Sequence, residues 1–312
     1  MYPISCVDGR RADGCRVRKG RKSGLSNQPG QKERIRIVTD TTVNLPPGYA
    51  EAHHIEVVPQ VIIFGEESYL EAYEISSAEF VQRLKTSAHL PKTAAPPPGE
   101  FVEAYRRQLA EADTIISIHP TCDASGTVRS AQTAKDESFP DADIRIIDTR
   151  TIGGGMGAMV MAATEWAEAG MGADEIVRRI QEMIPRSRTY FVIRTLEFLQ
   201  RGGRIGGAAA LMGSILQIKP ILEIRNGRVE VLEKVRAQNR AMGRMLELVA
   251  EQCPRSPEAR VNVMQIDALE EGKRVVTDLQ QVLGLADIPL YELGAAITTH
   301  GGPGVVGVSF LV

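Results

Sequence analysis

Between residues 35 and 149 the sequence returns repeatedly to short β-branched runs, and the stretches between them change to helical spacing. IRIVTD (35–40), TIISI (114–118) and DIRIIDT (143–149) are five to seven residues long, and each carries three β-branched apolar residues. They read as strands covered on both faces. Pro98, the last proline of LPKTAAPPPGEF (90–101), suits the first turn of a helix reaching about Ala112. A second helix is expected from about Ser125 to Ser138. After Gly153–Gly155 an apolar helix runs to about Ala169, and another starts at Asp174. Ser76 and Glu79 have capping-box spacing ahead of Phe80 and Leu84. Strands alternating with helices imply an α/β fold with a doubly wound, mostly parallel sheet.

The second half reads differently. KPILEIRNGRVEVLEKVR (219–236) is two β-rich runs joined by Asn226-Gly227, a strong hairpin signal. A helix over about 237–252, a strand at VNVMQID (261–267), a helix over about 269–283 and strands near 290–298 and 305–311 follow. We expect an N-terminal α/β domain over 34–170 and a C-terminal α+β domain over 171–312 with a hairpin-containing sheet. The run VVPQVIIFG (57–65) is a further strand, and its residues 57–64 are candidates to join the second sheet. No internal repeat is found.

Of 312 residues, 43% are hydrophobic and 24% charged, with a formal net charge of −2, an ordinary globular balance. The charge is unevenly placed. Up to Arg36 ten basic residues face three acidic ones, +7; beyond it 27 face 36, −9. Residues 1–33 lack apolar periodicity and read as a disordered basic extension. Nothing in the global charge favours nucleic acid, and no apolar core of a secretory signal is present. No run of about 18 apolar residues suggests a membrane span. Cys6, Cys15, Cys122 and Cys253 form no Cys-x-x-Cys pair. That is the usage of a reducing compartment, and the cytoplasm is the expected location. His53-His54 lies on a polar loop without partner ligands, so no metal site is expected.

The segment SIHPTCDASGTVRSA (117–131) runs from an apolar strand through a small-residue turn into a helix. Ser125, Gly126 and Thr127 stand at the helix mouth, which makes either a plain N-cap or an anion site. Ser125 as a nucleophile is weak: Asp123 and Thr127 replace the glycines of Gly-x-Ser-x-Gly. GGGMGA (153–158) satisfies a dinucleotide-like glycine spacing, but the preceding strand ends several residues early. A nucleotide-dependent enzyme using Gly153–Gly157 is therefore the alternative reading. GGPGVVG (301–307) has similar spacing, yet too little chain follows it for a helix. His300 precedes that turn, where a lone histidine is more often structural. Arg204 is flanked by glycines in GGRIGG (202–207). Lys219 borders an apolar strand, where its stem can snorkel. Met156, Met159 and Met161, and the run AALMGSILQI (209–218), are core-like singly; Met side chains also adapt to flexible apolar ligands. Met156, Met159, Ile215 and Ile218 are the candidates for meeting such a ligand, if one is bound.

Six segments, in order, resemble DegV-family proteins: TDTTVNLP (39–46), Lys92-Thr93 before Pro96, ASGTVRSA (124–131), RGGRIG (201–206), IKPIL (218–222) with GRVEVLEKVR (227–236), and HGGPGVVG (300–307). The resemblance covers about 35–312. It implies a two-domain α/β bacterial fatty-acid-binding protein, of which some are FakB subunits of fatty acid kinase. On that resemblance one long-chain fatty acid lies in an apolar tunnel. Thr93, Ser125 and Gly126, with the late His300, match positions at its carboxylate. Arg204 and Arg236 match basic positions near the site mouth, where an ATP-dependent kinase partner docks. The chain itself then has no catalytic residue and no cofactor beyond the bound fatty acid. The kinase makes the acyl-phosphate that feeds phospholipid metabolism, and transient contact with a membrane surface is compatible with such a carrier. Ala94 and Ala95 replace a Ser and a Gln of the family loop. Val128 and Arg129 replace an aromatic and a Gln, and Glu71-Ala72 stands where Asp-Gly is usual.

Overall fold

Strand β1 (Ile35–Asp40) leads through a single turn, α1 (Tyr49–Ala52), into β2 (Glu56–Val58), where Pro59 interrupts the ladder. The computed structural model describes residues 33–87, 89–212 and 218–312, so all but the last residue of the basic extension expected over 1–33 lies outside the described residues. After Pro59 the chain turns away to form β3 (Val61–Phe64), β4 (Glu67–Leu70), α2 (Ser77–Thr86) and β5 (Lys92–Ala94). Helix α2 starts on the expected capping box: Ser76 and Glu79 exchange side-chain and backbone hydrogen bonds. Then come α3 (Pro98–Leu109), β6 (Thr114–His119), α4 (Thr127–Ser138), β7 (Asp143–Asp148), α5 (Gly154–Glu168) and α6 (Ala173–Met183).

The first sheet has the order β2-β1-β6-β7, and every pair in it is parallel. Its two faces separate residues one apart. Ile115 packs with Phe101 and Ala104 of α3 and Ala131 of α4. Ile116 and Ile118 pack on the other side with Met156 and Met159 of α5 and Ile176 of α6. This is the doubly wound arrangement expected from the alternating runs.

The run 57–64 does not join the second sheet. Its first residues complete the first sheet as β2, and its last form β3 in a separate antiparallel sheet of order β4-β3-β5. Pro59 has no N–H to continue the ladder, so the strand must divide there.

The later elements are β8 (Ser187–Val192), α7 (Glu197–Arg201), β9 (Ile218–Arg225), β10 (Arg228–Arg236), α8 (Gln238–Gln252), β11 (Asn262–Ile266), α9 (Leu269–Leu283), β12 (Leu290–Glu292), α10 (Ala295–Gly301) and β13 (Val305–Leu311). They build a six-stranded mixed sheet of order β10-β9-β8-β13-β11-β12. Its hairpin turns at Asn226-Gly227, both with positive φ (50° and 83°), as a two-residue primed turn requires. Met245 and Leu248 of α8 and Val275 and Leu279 of α9 cover one face, over Tyr190 and Phe310. The other face turns Phe191, Leu222 and Met264 toward α7 and α10.

Two expectations change. Strand β8 is not marked in the sequence, because Ser187, Arg188 and Thr189 break its apolar run; it pairs with β9 and β13 in the sheet centre, where the Thr189 and Ser309 hydroxyls meet at 2.7 Å. The strand expected near 290–298 ends at Glu292, and the β-branched residues that follow lie in α10. There Thr298 and Thr299 donate their hydroxyls back to the carbonyls of Gly294 and Ala295, which absorbs the polarity of a helix that composition disfavours.

Gly154, Gly155 and Gly157 serve packing. A Cβ on Gly154 would stand 1.8 Å from Asn262 Oδ1, and one on Gly157 2.0 Å from the Asn44 carbonyl oxygen. Their place in α5 is filled by protein, not open for a pyrophosphate. Among the described residues no helix is long and apolar enough to cross a membrane.

Candidate functional site

Beyond the carboxyl ends of β1 and β6 lies a cavity of about 370 Å³, within the range of small-molecule sites. Strand order reverses direction between these two strands, the usual place for a ligand in an open α/β sheet. Thr42 and the 121–126 turn form one wall, and Gln60, Thr93 and Ala95 of the small antiparallel sheet and its flanks form a second. The inner face of the six-stranded sheet supplies Phe191, Met264 and Val305, and α10 supplies Ala296, Ile297 and His300. Most of the surface is apolar, with hydroxyls gathered from separate segments.

Thr93, Ser125, Gly126, Arg204 and His300 all line this one cavity. Thr93 and His300, 207 residues apart, are hydrogen-bonded: Thr93 Oγ1 lies 2.9 Å from His300 Nε2. His300 Nδ1 is buried without a hydrogen-bond partner in the described structure, and Gly202 packs over it so closely that a Cβ there would stand 2.1 Å away. Burial first, and then the neighbouring Arg204 charge, push the imidazole down to about 4, so it is neutral near pH 7. A buried unpaired N–H costs more than a buried lone pair. The proton therefore sits on Nε2 and is donated to Thr93 Oγ1, which frees the Thr93 hydroxyl proton for a ligand.

Gly126 stands at the N-terminus of α4, where the first amides have no acceptor within the helix. Ser125 Oγ lies 2.7 Å from Thr127 Oγ1 and accepts from the Thr127 N–H at 3.3 Å. Its neighbour is a hydroxyl, not an imidazole, so the serine-nucleophile arrangement is not assembled here. Arg204 is exposed; its Nε donates to the Ala124 carbonyl at 3.1 Å and its Nη1 to that of Gly202 at 2.6 Å. Beside it, Asp123 pairs with Arg150 at 2.6 Å and Arg228 at 2.9 Å, which ties the 121–126 turn to the hairpin.

The other sequence candidates lie elsewhere. Arg236 is exposed in a groove between β10 and α8 with Arg240 and Arg244. Met156 and Met159 are fully buried against the first sheet and are not among the residues lining the cavity. Ile218 begins β9 outside it, and Ile215 lies outside the described residues. Helix α5 is apolar all round, so no periodicity marked which of its faces meets a cavity.

Glu71, which the sequence marks only as a departure from the family's Asp-Gly pair, has a structural role that the sequence does not show. It is 3% exposed, accepts from the Ala296 N–H of α10 at 2.8 Å and from the Thr41 hydroxyl, and so holds the helix that carries His300. Burial pushes its carboxyl up to about 7, against the pull of those two bonds. Among the described residues no group of three or more His, Cys, Asp or Glu could hold a metal ion.

The family model described as uncharacterised protein, DegV family, matches residues 34–312. The chain belongs to the DegV family. This DegV-family chain is 35% identical over 275 residues to a DegV domain-containing protein of Deinococcus radiodurans, covering 88% of this chain and 97% of that one. It is 33% identical to protein DegV of Bacillus subtilis, with 88% and 98% covered. Among solved structures it is similar to the DegV family protein of Thermus thermophilus, which binds fatty acid (TM-score 0.79, 32% identity, 89% and 100% covered). It is likewise similar to DegV of B. subtilis, a fatty acid binding protein (TM-score 0.80, 31% identity, 90% and 100% covered).

Proposed function

We propose that this chain binds one long-chain fatty acid in the cavity and presents it to an ATP-dependent fatty acid kinase. The observation that carries the reading is convergence: Thr93, Ser125 and His300, from three distant segments, line one mainly apolar cavity. The acyl chain lies against Phe191, Met264 and Val305. Its carboxylate takes the hydroxyl protons of Thr93 and Ser125 and the amides at the start of α4.

The energetics are of the right size. Covering an acyl chain of about 16 carbons contributes on the order of 12 kcal/mol gross, at about 0.8 kcal/mol per methylene, before the cost of ordering it. A carboxylate drawn in without donors would cost several kcal/mol, and the two hydroxyls meet that need. The phosphoryl transfer belongs to the partner in this reading. Arg204, exposed at the cavity, is a cation in place to face such a partner or the head group, whereas Arg236 lies in the β10–α8 groove.

Native mass spectrometry of the purified chain, before and after incubation with oleate, tests the binding. One acyl ligand per chain is expected. Absence of any adduct in both samples refutes it. Adding a fatty acid kinase and ATP to the loaded protein tests presentation, with acyl-phosphate as the expected product.

A further inference from the structure

Behind Ser125 runs a buried chain of hydrogen bonds that the binding reading does not itself require. Gln60 Nε2 stands 3.0 Å from Asp40 Oδ1 and 2.9 Å from Thr127 Oγ1. Asp40 is wholly buried. Besides Gln60, its carboxylate faces the Thr42 amide at 3.0 Å, the Thr42 hydroxyl at 2.6 Å and His119 Nδ1 at 2.8 Å. On the far side His119 Nε2 lies 2.6 Å from Ser117 Oγ, which lies 2.8 Å from the Tyr105 hydroxyl.

These contacts have one consistent direction. A carboxylate surrounded by donors accepts. It therefore fixes which end of the Gln60 amide points inward: the NH2 group faces Asp40, and its second hydrogen goes to Thr127 Oγ1. Thr127 is buried, so its own hydroxyl proton needs an acceptor, and among the described residues Ser125 Oγ, 2.7 Å away, is the one beside it; Thr127 therefore donates to Ser125. Ser125 Oγ now accepts from both the hydroxyl and the amide of Thr127. Its lone pairs are occupied from behind, and its one proton is left for the cavity.

We propose that the Asp40–Gln60–Thr127 chain is a specificity device: it holds Ser125 as a hydrogen-bond donor and so selects an acceptor-only carboxylate over a head group that brings its own N–H. The inference rests on the fatty-acid reading of the cavity and adds Gln60 and Thr127 as positioning residues. Thr127 is fully buried and acts through Ser125. A head-group amide can offer its carbonyl oxygen to one of the two hydroxyls of Thr93 and Ser125, but its NH2 then meets the other as donor against donor.

The test compares oleate with oleamide, two ligands with the same tail, by calorimetry on the full chain. Wild type should prefer oleate by at least about 10-fold, the worth of one hydrogen bond to a charged group. Thr127→Val keeps the shape and removes the relay, so Ser125 can rotate to accept; the oleate-to-oleamide preference should shrink on the order of 10-fold, while Thr127→Ser retains it. Gln60→Met should act like Thr127→Val, and decides the matter if that variant does not fold. A merely structural role would weaken both ligands together and leave the ratio alone. An unchanged ratio in folded Thr127→Val or Gln60→Met, or no oleate preference in wild type that binds both, overturns the inference and leaves the fatty-acid reading standing. Wild type that binds neither ligand refutes that reading itself, and the inference with it.

Discussion

Glu71 holds the N-terminus of α10 and His300 lies in its last turn; the two titrate abnormally in opposite senses, so their pH linkages should oppose each other in the wild type and separate in variants. The Glu71 carboxyl is pushed from 4.5 up to about 7, mainly by burial. Protonation is thus easier in the folded chain. The stability it confers is complete below about pH 4.5 and is lost as pH rises through 7. His300 is pushed from 6.5 down to about 4, again mainly by burial. The unfolded chain then binds the extra proton, so stability is complete above about pH 6.5 and is lost as pH falls toward 4. Each shift is near 2.5 pH units, worth about 3 kcal/mol at 1.36 kcal/mol per unit. Between pH 4.5 and 6.5 the two slopes oppose each other almost evenly.

Glu71→Gln keeps an oxygen for the Ala296 amide, reverses the bond to Thr41 so that the hydroxyl must accept instead of donate, and removes one slope. Urea unfolding at pH 4.5, 5.5, 6.5 and 7.5 measures the outcome. The stability of Glu71→Gln relative to wild type should rise by about 3 kcal/mol from pH 4.5 to 7. His300→Gln should move the other way relative to wild type, losing about 3 kcal/mol over pH 4–6.5. Subtraction of the wild-type curve removes every titrating group the variants share. A Glu71→Gln curve parallel to wild type would show that the buried carboxyl titrates normally and would refute the linkage.

Ser125→Ala should raise the Kd for oleate on the order of 10-fold, by calorimetry, for loss of one donor to a charge; an unchanged Kd removes Ser125 from the head-group site. Ala72 holds φ at 66°, where an L-residue is strained, so Ala72→Gly should gain about 0.5–1 kcal/mol in urea unfolding despite the added chain entropy. Gly157→Ala would normally favour a helix by about 1 kcal/mol. Here its Cβ meets the Asn44 carbonyl at 2.0 Å, so a net loss of about 2 kcal/mol is expected instead; a stabilised variant would contradict that packing.

The parts of the fold that announce themselves are those whose signal is local. β6 is buried along its whole length, and β1 and β7 keep paired apolar residues, Ile37-Val38 and Ile146-Ile147, at their centres. The Asn226-Gly227 turn, the Ser76 cap and Pro98 are set by their own dihedrals and hydrogen bonds. What stayed hidden is decided by neighbours distant in sequence. β8 is half polar, and its Thr189 is accommodated in the sheet centre by the hydroxyls of Ser309 and Thr151 beside it. α10 is rich in β-branched residues and is held by Glu71, 225 residues before Ala296.

The candidate site divides in the same way. Thr93, Ser125, Gly126, Arg204 and His300 sit in recognisable turns or motifs, and the fold places all five around one cavity. Of the chain behind Ser125 only Thr127 had been noticed, as a helix-mouth hydroxyl. Asp40 and His119 are each the last residue of a buried strand and are 79 positions apart. A signal was nevertheless present: IRIVTD and TIISIH each end a buried strand on an ionisable side chain. Such groups need partners, because an unpaired one inside a low-dielectric interior is costly. Two ionisable ends on parallel strands that prove adjacent are positioned to satisfy each other. The tail-facing residues gave no comparable signal: Phe191 and Met264 are ordinary apolar strand residues, and only the placing of α10 and the small sheet opposite them makes that face a cavity wall. Head-group chemistry is therefore legible as polar residues in places that demand partners, whereas tail-binding surface depends on which apolar face the rest of the chain leaves uncovered.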